Sequence, residues 1–160
     1  MDLLEQTKNL CKLYHIIPAR SKGQNFLIRE EVYDEVVVAA DLKPDETVLE
    51  VGPGLGFLTA KLAAQAGRVI AVELDDKLAE VLKTGLIARK IKNVEVVNED
   101  VLKISNFQFL IFKKIPNPND QFSNKIQDLN YKIVANLPYN ITSIFLRKFL
   151  EAEIKPTLMV

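Results

Sequence analysis

Asn136, Leu137, Pro138 and Tyr139 follow a short apolar run, Ile133-Val134-Ala135, that reads as a buried strand. An amide side chain, a rigid proline and an aromatic ring thus meet where a strand runs out. Those residue types suit the holding of a flat, weakly nucleophilic amino group. The Asn136 amide oxygen and the Leu137 main-chain carbonyl can each accept a hydrogen from an NH2, and Tyr139 can stack on the ring that carries it. Pro138 fixes its own φ and donates no hydrogen bond, which stiffens the turn. The same residues also make ordinary strand-to-loop turns, so the tetrapeptide gains meaning only from what stands beside it.

Three further strand ends supply that context. Val48-Leu49-Glu50-Val51-Gly52-Pro53-Gly54-Leu55-Gly56 is a strand running into a glycine turn at the start of a helix. Glycine allows close backbone approach to a ligand and positive φ, and in a doubly wound sheet such a turn lies at the ligand-binding edge. Dinucleotide sites space their glycines G-x-G-x-x-G. Here the third glycine, Gly56, comes one residue early and Phe57 takes the expected place, so the G-x-G-x-G pattern fits an adenosyl ligand without a pyrophosphate at least as well as NAD. An acid about 20 residues on, at the end of the second strand, would accept hydrogen bonds from ribose hydroxyls, and Glu73 stands there. After the third strand comes Asn98-Glu99-Asp100-Val101, where Asp100, ahead of Glu99, can accept from an adenine amino group. The competing roles are an exposed strand-end acid for Glu73 and a helix N-cap for Asp100. Gly52 to Gly56, Glu73, Asp100 and Asn136 at four successive strand ends face one crevice, the layout of an S-adenosylmethionine (SAM) methyltransferase.

Composition narrows the chemistry. Lys+Arg and Asp+Glu balance at 21 each, which argues against a dedicated nucleic-acid coat while leaving room for a local basic patch. Arg20, Lys22 and Arg29, preceded by Lys8 and Lys12, form either such a patch or a solvated basic stretch. With one cysteine, Cys11, and one histidine, His15, neither an internal disulfide nor a Cys/His metal site is expected. These two fall at i,i+4 on a predicted helix, where packing or surface roles are expected. No run of about 18 apolar residues marks a membrane span, and the acidic start, Asp2 and Glu5, does not resemble a signal peptide. A cytoplasmic protein is expected.

The elements that must position these residues alternate. Helices are predicted over Met1–Tyr14 and Glu30–Ala40, then strand Thr47–Val51, helix Phe57–Ala66, strand Arg68–Leu74, a helix capped by Asp75 or Asp76 and running to about Lys90, and strand Val94–Val97. Strand Tyr131–Ala135, helix Thr142–Glu151 and strand Leu158–Val160 complete the series. The alternation implies an α/β fold, a parallel sheet with helices on both faces. Residues 105–130 break the rhythm: Pro116-Asn117-Pro118-Asn119-Asp120 cannot be regular structure, and a long surface insertion is expected, with a helix over 121–129. The chain stops inside an apolar stretch, Leu158-Met159-Val160, as the front part of a longer protein would.

Four segments together resemble the ribosomal RNA adenine dimethyltransferases of the KsgA type, relatives of the erythromycin-resistance methylases. Ser21-Lys22-Gly23-Gln24-Asn25-Phe26-Leu27 resembles the family's N-terminal SAM motif, closer to the ribosome-biogenesis branch than to the resistance branch. Glu50 to Gly56 with Leu58-Thr59 resembles its glycine loop, Glu73-Leu74-Asp75 its ribose motif, and Asn136-Leu137-Pro138-Tyr139-Asn140-Ile141 its target-amine motif. The resemblance covers about Tyr14 to Val160 apart from the insertion, which makes the interval from Asp100 to Asn136 longer than the family pattern. It implies a class I SAM-dependent methyltransferase (Rossmann-like) fold truncated before the last strands and a helical C-terminal domain. It places cofactor contacts on Asn25, Leu27, Gly52, Glu73, Asp100 and Asn136, to which the glycine turn adds Gly54 and Gly56, and catalysis on Asn136, Leu137, Pro138 and Tyr139.

The activity so implied is methyl transfer from SAM to the adenine amino groups of small-subunit (16S) ribosomal RNA, giving dimethyladenine during ribosome maturation, by a monomer acting on a pre-30S particle without a metal. Placement of the amine for in-line transfer would carry catalysis, without a tuned general base. Phe26 and the loop around Gly23 would close over the cofactor, or Phe26 would simply pack on the glycine-loop helix. Alternatives are a non-catalytic SAM- and RNA-binding assembly factor, a DNA adenine methyltransferase sharing the target-amine motif, and an NAD-binding module.

Overall fold

The computed structural model describes residues 2–18, 25–105, 107–112 and 130–160. Five parallel strands form one sheet in the order β3-β2-β1-β4-β5: β1 (Thr47–Val51), β2 (Arg68–Glu73), β3 (Val94–Asn98), β4 (Tyr131–Ala135) and β5 (Leu158–Met159). Helices α1 (Leu3–Leu13), α2 (Glu30–Ala40), α3 (Phe57–Ala63), α4 (Asp76–Ala88), α5 (Phe107–Phe112) and α6 (Tyr139–Leu150) complete the chain. None of the described helices is long and apolar enough to cross a membrane.

Strand periodicity explains the two layers. Successive side chains of a strand point to opposite faces. Leu49, Val51, Ile70, Val72, Tyr131 and Ile133 share one core with Phe107 and Ile111 of α5 and with Phe145 and Phe149 of α6. Val48, Val69 and Val134 point the other way, into a core closed by α1, α2 and α3 through Leu3, Tyr33, Val37, Leu58 and Leu62. The Phe145 and Phe149 rings lie 4.7 Å apart, tilted at 50°, a favourable aromatic arrangement.

Local chemistry sets several boundaries. Asp2 caps α1 by accepting from Glu5 N at 2.7 Å. Of the two acids considered for the α4 cap, Asp75 takes the role, accepting from Lys77 N and Leu78 N at 3.1 and 3.2 Å. The α1 helix stops before His15, whose φ is 50°. Cys11 and His15 therefore do not share a helical face, and Cys11 packs beside Ile16, Leu55, Leu78 and Val81, where burial pushes its thiol pKa up.

Three expectations need correction. Helix α3 ends at Ala63 rather than Ala66. Helix α6 starts at Tyr139 rather than Thr142, because Pro138, at φ −60° and ψ 140°, serves as its N-cap residue and its carbonyl accepts from Ile141 N and Thr142 Oγ1, both at 3.1 Å. The segment read as a surface insertion opens with α5, whose Phe107 and Ile111 are buried in the core. Its proline-asparagine run and the helix expected over 121–129 lie outside the described residues.

At the N-terminal edge of the sheet, two basic residues tie elements together. Arg68 donates to Glu95 Oε2 at 2.6 Å, to Ile111 O at 2.9 Å and to Leu110 O at 3.1 Å, fastening the last turn of α5 to β2 and β3. Lys132, on β4, pairs with Glu46 at 2.9 Å and donates to Asp41 O at the end of α2. Burial opposes ionisation of Glu46, yet Lys132 and the Lys43 N–H outweigh it and hold the carboxyl below its ordinary value.

Candidate functional site

The register aligns the opposite edge. Val51 pairs with both Val72 and Ala135, and Glu73 with Asn98. The residues that follow or end β1, β2, β3 and β4 therefore open side by side. Between them lies a cleft of about 370 Å³, lined by Asn25, Phe26, Gly52, Gly54, Glu73, Asp75, Leu78, Asp100, Leu102, Asn136, Leu137, Pro138 and Ile141 among others. That volume falls within the range of small-molecule sites, about 300–1,000 Å³.

The glycine loop is shaped for close approach. Gly52, Gly54 and Gly56 have φ of 71°, 55° and 79°, where an L side chain is strained. A Cβ on Gly56 would stand 2.5 Å from Leu82 Cδ1, so that glycine seats α3 against α4. Gly52 instead faces the backbone carbonyl of Asn136, bringing the ends of β1 and β4 together.

Glu73, 6% exposed, has its carboxylate fixed from two sides. Gly54 N donates to Oε2 at 3.0 Å and Asp75 N to Oε1 at 2.9 Å. Burial raises its pKa, and the two N–H groups pull in the opposite direction. Each oxygen keeps a second lone pair for an incoming hydroxyl. Asn98 Nδ2 donates to Glu73 O at 3.0 Å, locking the ends of β2 and β3. Asp100 accepts from Leu102 N at 2.9 Å through Oδ1, and Lys103 Nζ lies 3.9 Å from Oδ2. Asp100 thus holds its own turn, as its alternative reading had it, while still lining the cleft.

Of the residues picked from sequence, Asn25, Gly52, Gly54, Glu73, Asp100, Asn136, Leu137 and Pro138 line this cleft. Leu27, Gly56 and Tyr139 do not. Leu27 packs toward the α2–α3 core and its carbonyl accepts from Tyr33 Oη at 3.0 Å. Tyr139 begins α6 with its side chain wholly exposed, outside the cleft wall. Phe26 lines the cleft and packs beside Leu55 and Leu78. Its ring comes 3.3 Å from the place a Gly54 Cβ would occupy. The Ser21 to Gln24 part of the N-terminal motif, and with it Arg20 and Lys22 of the basic stretch, lies outside the described residues. Arg29 reaches Glu31 at 3.8 Å, both exposed. Sequence reasoning missed Leu78, Leu102 and Ile141 as wall residues. Leu78 and Ile141 lie in the first turn of the helix that follows a named strand end, and Leu102 in the turn that follows Asp100.

Strand order, a glycine loop after the central strand and acids at the next two strand ends define a class I methyltransferase fold. The family model for ribosomal RNA adenine dimethylase matches residues 19–160, and the chain belongs to that family. It is 46% identical over 159 residues to a ribosomal RNA small subunit methyltransferase A of Dehalococcoides mccartyi, covering 99% of this chain and 49% of the relative. A counterpart in Alkaliphilus metalliredigens is 38% identical over 149 residues, covering 93% and 47%. The chain thus spans about half the length of the curated relatives it matches. Among solved structures, the 23S rRNA methyltransferase ErmE superposes with a TM-score of 0.63 at 34% identity, over 84% of this chain and 47% of that one. A dimethyladenosine transferase from Plasmodium falciparum gives a TM-score of 0.63 at 25% identity, over 82% and 40%.

Proposed function

We propose that the chain carries the cofactor and target-amine site of a SAM-dependent methyltransferase acting on adenine amino groups of small-subunit ribosomal RNA within a pre-30S particle, in the cytoplasm. The observation that carries this reading is the convergence of Gly52, Gly54, Glu73, Asp100 and Asn136 on one cleft. The residues present fit the cofactor. Glu73 offers a pre-oriented carboxylate to ribose hydroxyls, Asp100 an acceptor to the adenine amino group, and the side-chain-free glycine turn room for the chain between them. Asn25 and Asn136 add polar groups at the mouth. When bound, SAM supplies an electrophilic methyl group.

The remaining work belongs to the protein. An adenine amine is a poor nucleophile because its lone pair is delocalised into the ring. Asn136 Oδ1 and the Leu137 carbonyl would accept its two hydrogens, favouring a pyramidal nitrogen whose lone pair is free to attack. Pro138 holds that carbonyl in place by fixing the backbone ahead of α6. Tyr139, exposed at the first turn of α6, is available to stack on a base that has left its own stack. Catalysis is then mainly placement, with stabilisation of charge developing on the nitrogen.

The test is transfer of labelled methyl from SAM to immature small ribosomal subunits. Dimethyladenine in the ribosomal RNA is the expected product. SAM and RNA binding without transfer would make the chain a non-catalytic assembly factor, preference for DNA in competition would make it a DNA adenine methyltransferase, and preference for NAD over SAM would remove the reading.

A further inference from the structure

The turn that follows β3 is folded on itself. Asp100 Oδ1 accepts from Leu102 N at 2.9 Å, and Asp100 O accepts from Lys103 N and Ile104 N at 2.9 and 3.3 Å. Asp100, Val101 and Leu102 line the cleft on the side read as the adenine seat of the cofactor. Asn136, Leu137, Pro138 and Ile141 line the side that would receive the target amine. In the order β3-β2-β1-β4 the strands behind these two sides stand three places apart, roughly 14 Å at the usual strand spacing. Within the sheet they are joined only through β2 and β1.

One side chain links the two sides directly. Lys148, half-buried on α6, donates from Nζ to Leu102 O at 3.0 Å. The same Nζ stands 5.4 Å from the centre of the Phe107 ring on α5. Phe145 and Phe149 of α6 share a core with Val101 and Ile104 of the turn, but apolar contact of that kind is non-directional. The Lys148 bond is directional, and it ends on the backbone of a residue that lines the cleft.

We propose that Lys148 is a positioning residue that couples the two sides of the cleft. Through Leu102 O it ties the turn carrying Asp100 to the helix that follows Asn136, Leu137 and Pro138, so that filling the cofactor side favours the arrangement that accepts the amine. This rests on the reading of the cleft as a SAM and target-amine site, and it adds the residue through which one side responds to the other. Such coupling is reciprocal: the target tightens the cofactor by the factor with which the cofactor tightens the target.

The experiment measures the affinity of the 160-residue chain for S-adenosylhomocysteine with and without a saturating excess of immature small ribosomal subunits. In the wild type the subunits should tighten this ligand at least about fivefold, the lower end of ordinary coupling between sites. Lys148→Met keeps an apolar stem beside Phe107 and removes the donor. In it the tightening should disappear, while the affinity for S-adenosylhomocysteine alone stays within about twofold of the wild type. Lys148→Arg, which can still donate to Leu102 O, should restore most of the tightening. A lysine that only braces the fold would lower the melting temperature and leave the tightening at its wild-type factor in Lys148→Met, and that result overturns the proposal. A wild-type affinity that the subunits do not change overturns it as well, without any need for the variant to fold. S-adenosylhomocysteine binding with no binding of the subunits removes the target reading and the proposal but leaves the cofactor reading standing. Failure of S-adenosylhomocysteine to bind the wild type alone removes the cofactor reading, and the proposal falls with it.

Discussion

The two edges of the sheet treat buried charge in opposite ways. At the N-terminal edge, Arg68 and Lys132 are matched by acids and by the carbonyls that end α5 and α2. There, charge joins elements. At the C-terminal edge, Glu73 is oriented by two backbone N–H groups but keeps free lone pairs, and Glu50 is buried without a countercharge among the described residues. The difference is that the charges of the first edge are paired inside the fold, even though Arg68 Nε is left without a partner, whereas the acceptors of the second keep capacity where a ligand fits.

Substitutions at the two edges should therefore separate stability from function. At constant pH the largest effect belongs to the N-terminal edge. Lys132→Ala leaves Glu46 and the Asp41 carbonyl without their cation and should cost about 3 kcal/mol of folding free energy, seen as a lower urea midpoint, while the folded fraction keeps its SAM affinity. An equal loss of affinity would erase the contrast. Asn136→Ala should do the reverse: a drop of about 100-fold in methyl transfer, or about 2.7 kcal/mol of barrier, with a smaller loss of SAM affinity and a melting temperature little changed. Turnover at the wild-type rate would remove Asn136 from catalysis.

Glu50 gives a signature graded with pH. Its folded pKa of about 8 lies above the unfolded value, so the folded state retains a proton that the unfolded chain has released. Unliganded stability should be fullest below the ordinary glutamate range and should fall as pH rises to about 8, by up to about 1.4 kcal/mol per unit. Denaturation across that window should show the slope in the wild type and a flatter profile in Glu50→Gln. The smallest change in stability is expected at Tyr139, whose side chain touches nothing that folding buries. Tyr139→Ala should alter unfolding free energy by no more than about 0.5 kcal/mol yet weaken methyl transfer about tenfold, as loss of base stacking predicts. A larger effect on unfolding than on transfer would give Tyr139 a structural role instead.

Strands were legible because their apolar runs are short and bounded by turn residues, and the strand-end acids followed from the order of elements alone. What escaped depended on tertiary context. The Pro138 position looked like the end of a turn because proline rarely continues a helix, but its extended ψ lets the helix begin at the next residue. Phe107 and Ile111 lay next to a proline- and asparagine-rich run that hid their burial. Gly56 was grouped with the ligand-facing glycines, whereas its contact is Leu82. Glu50 was visible as part of a motif without a role, because sequence shows that an acid interrupts β1 but not that it is 1% exposed.

The pairing of β1 with β4 sets a timetable. Thr47 meets Tyr131 and Val51 meets Ala135, so the central strand waits for a neighbour more than eighty residues downstream. Contacts so distant form slowly, because a long loop must close before they bring any gain. On an emerging polypeptide, the glycine loop, Glu73 and Asp100 are all synthesised before the strand that delivers Asn136. The half of the cleft that grips the cofactor can take shape first, and the half that receives the amine arrives with the last central strand.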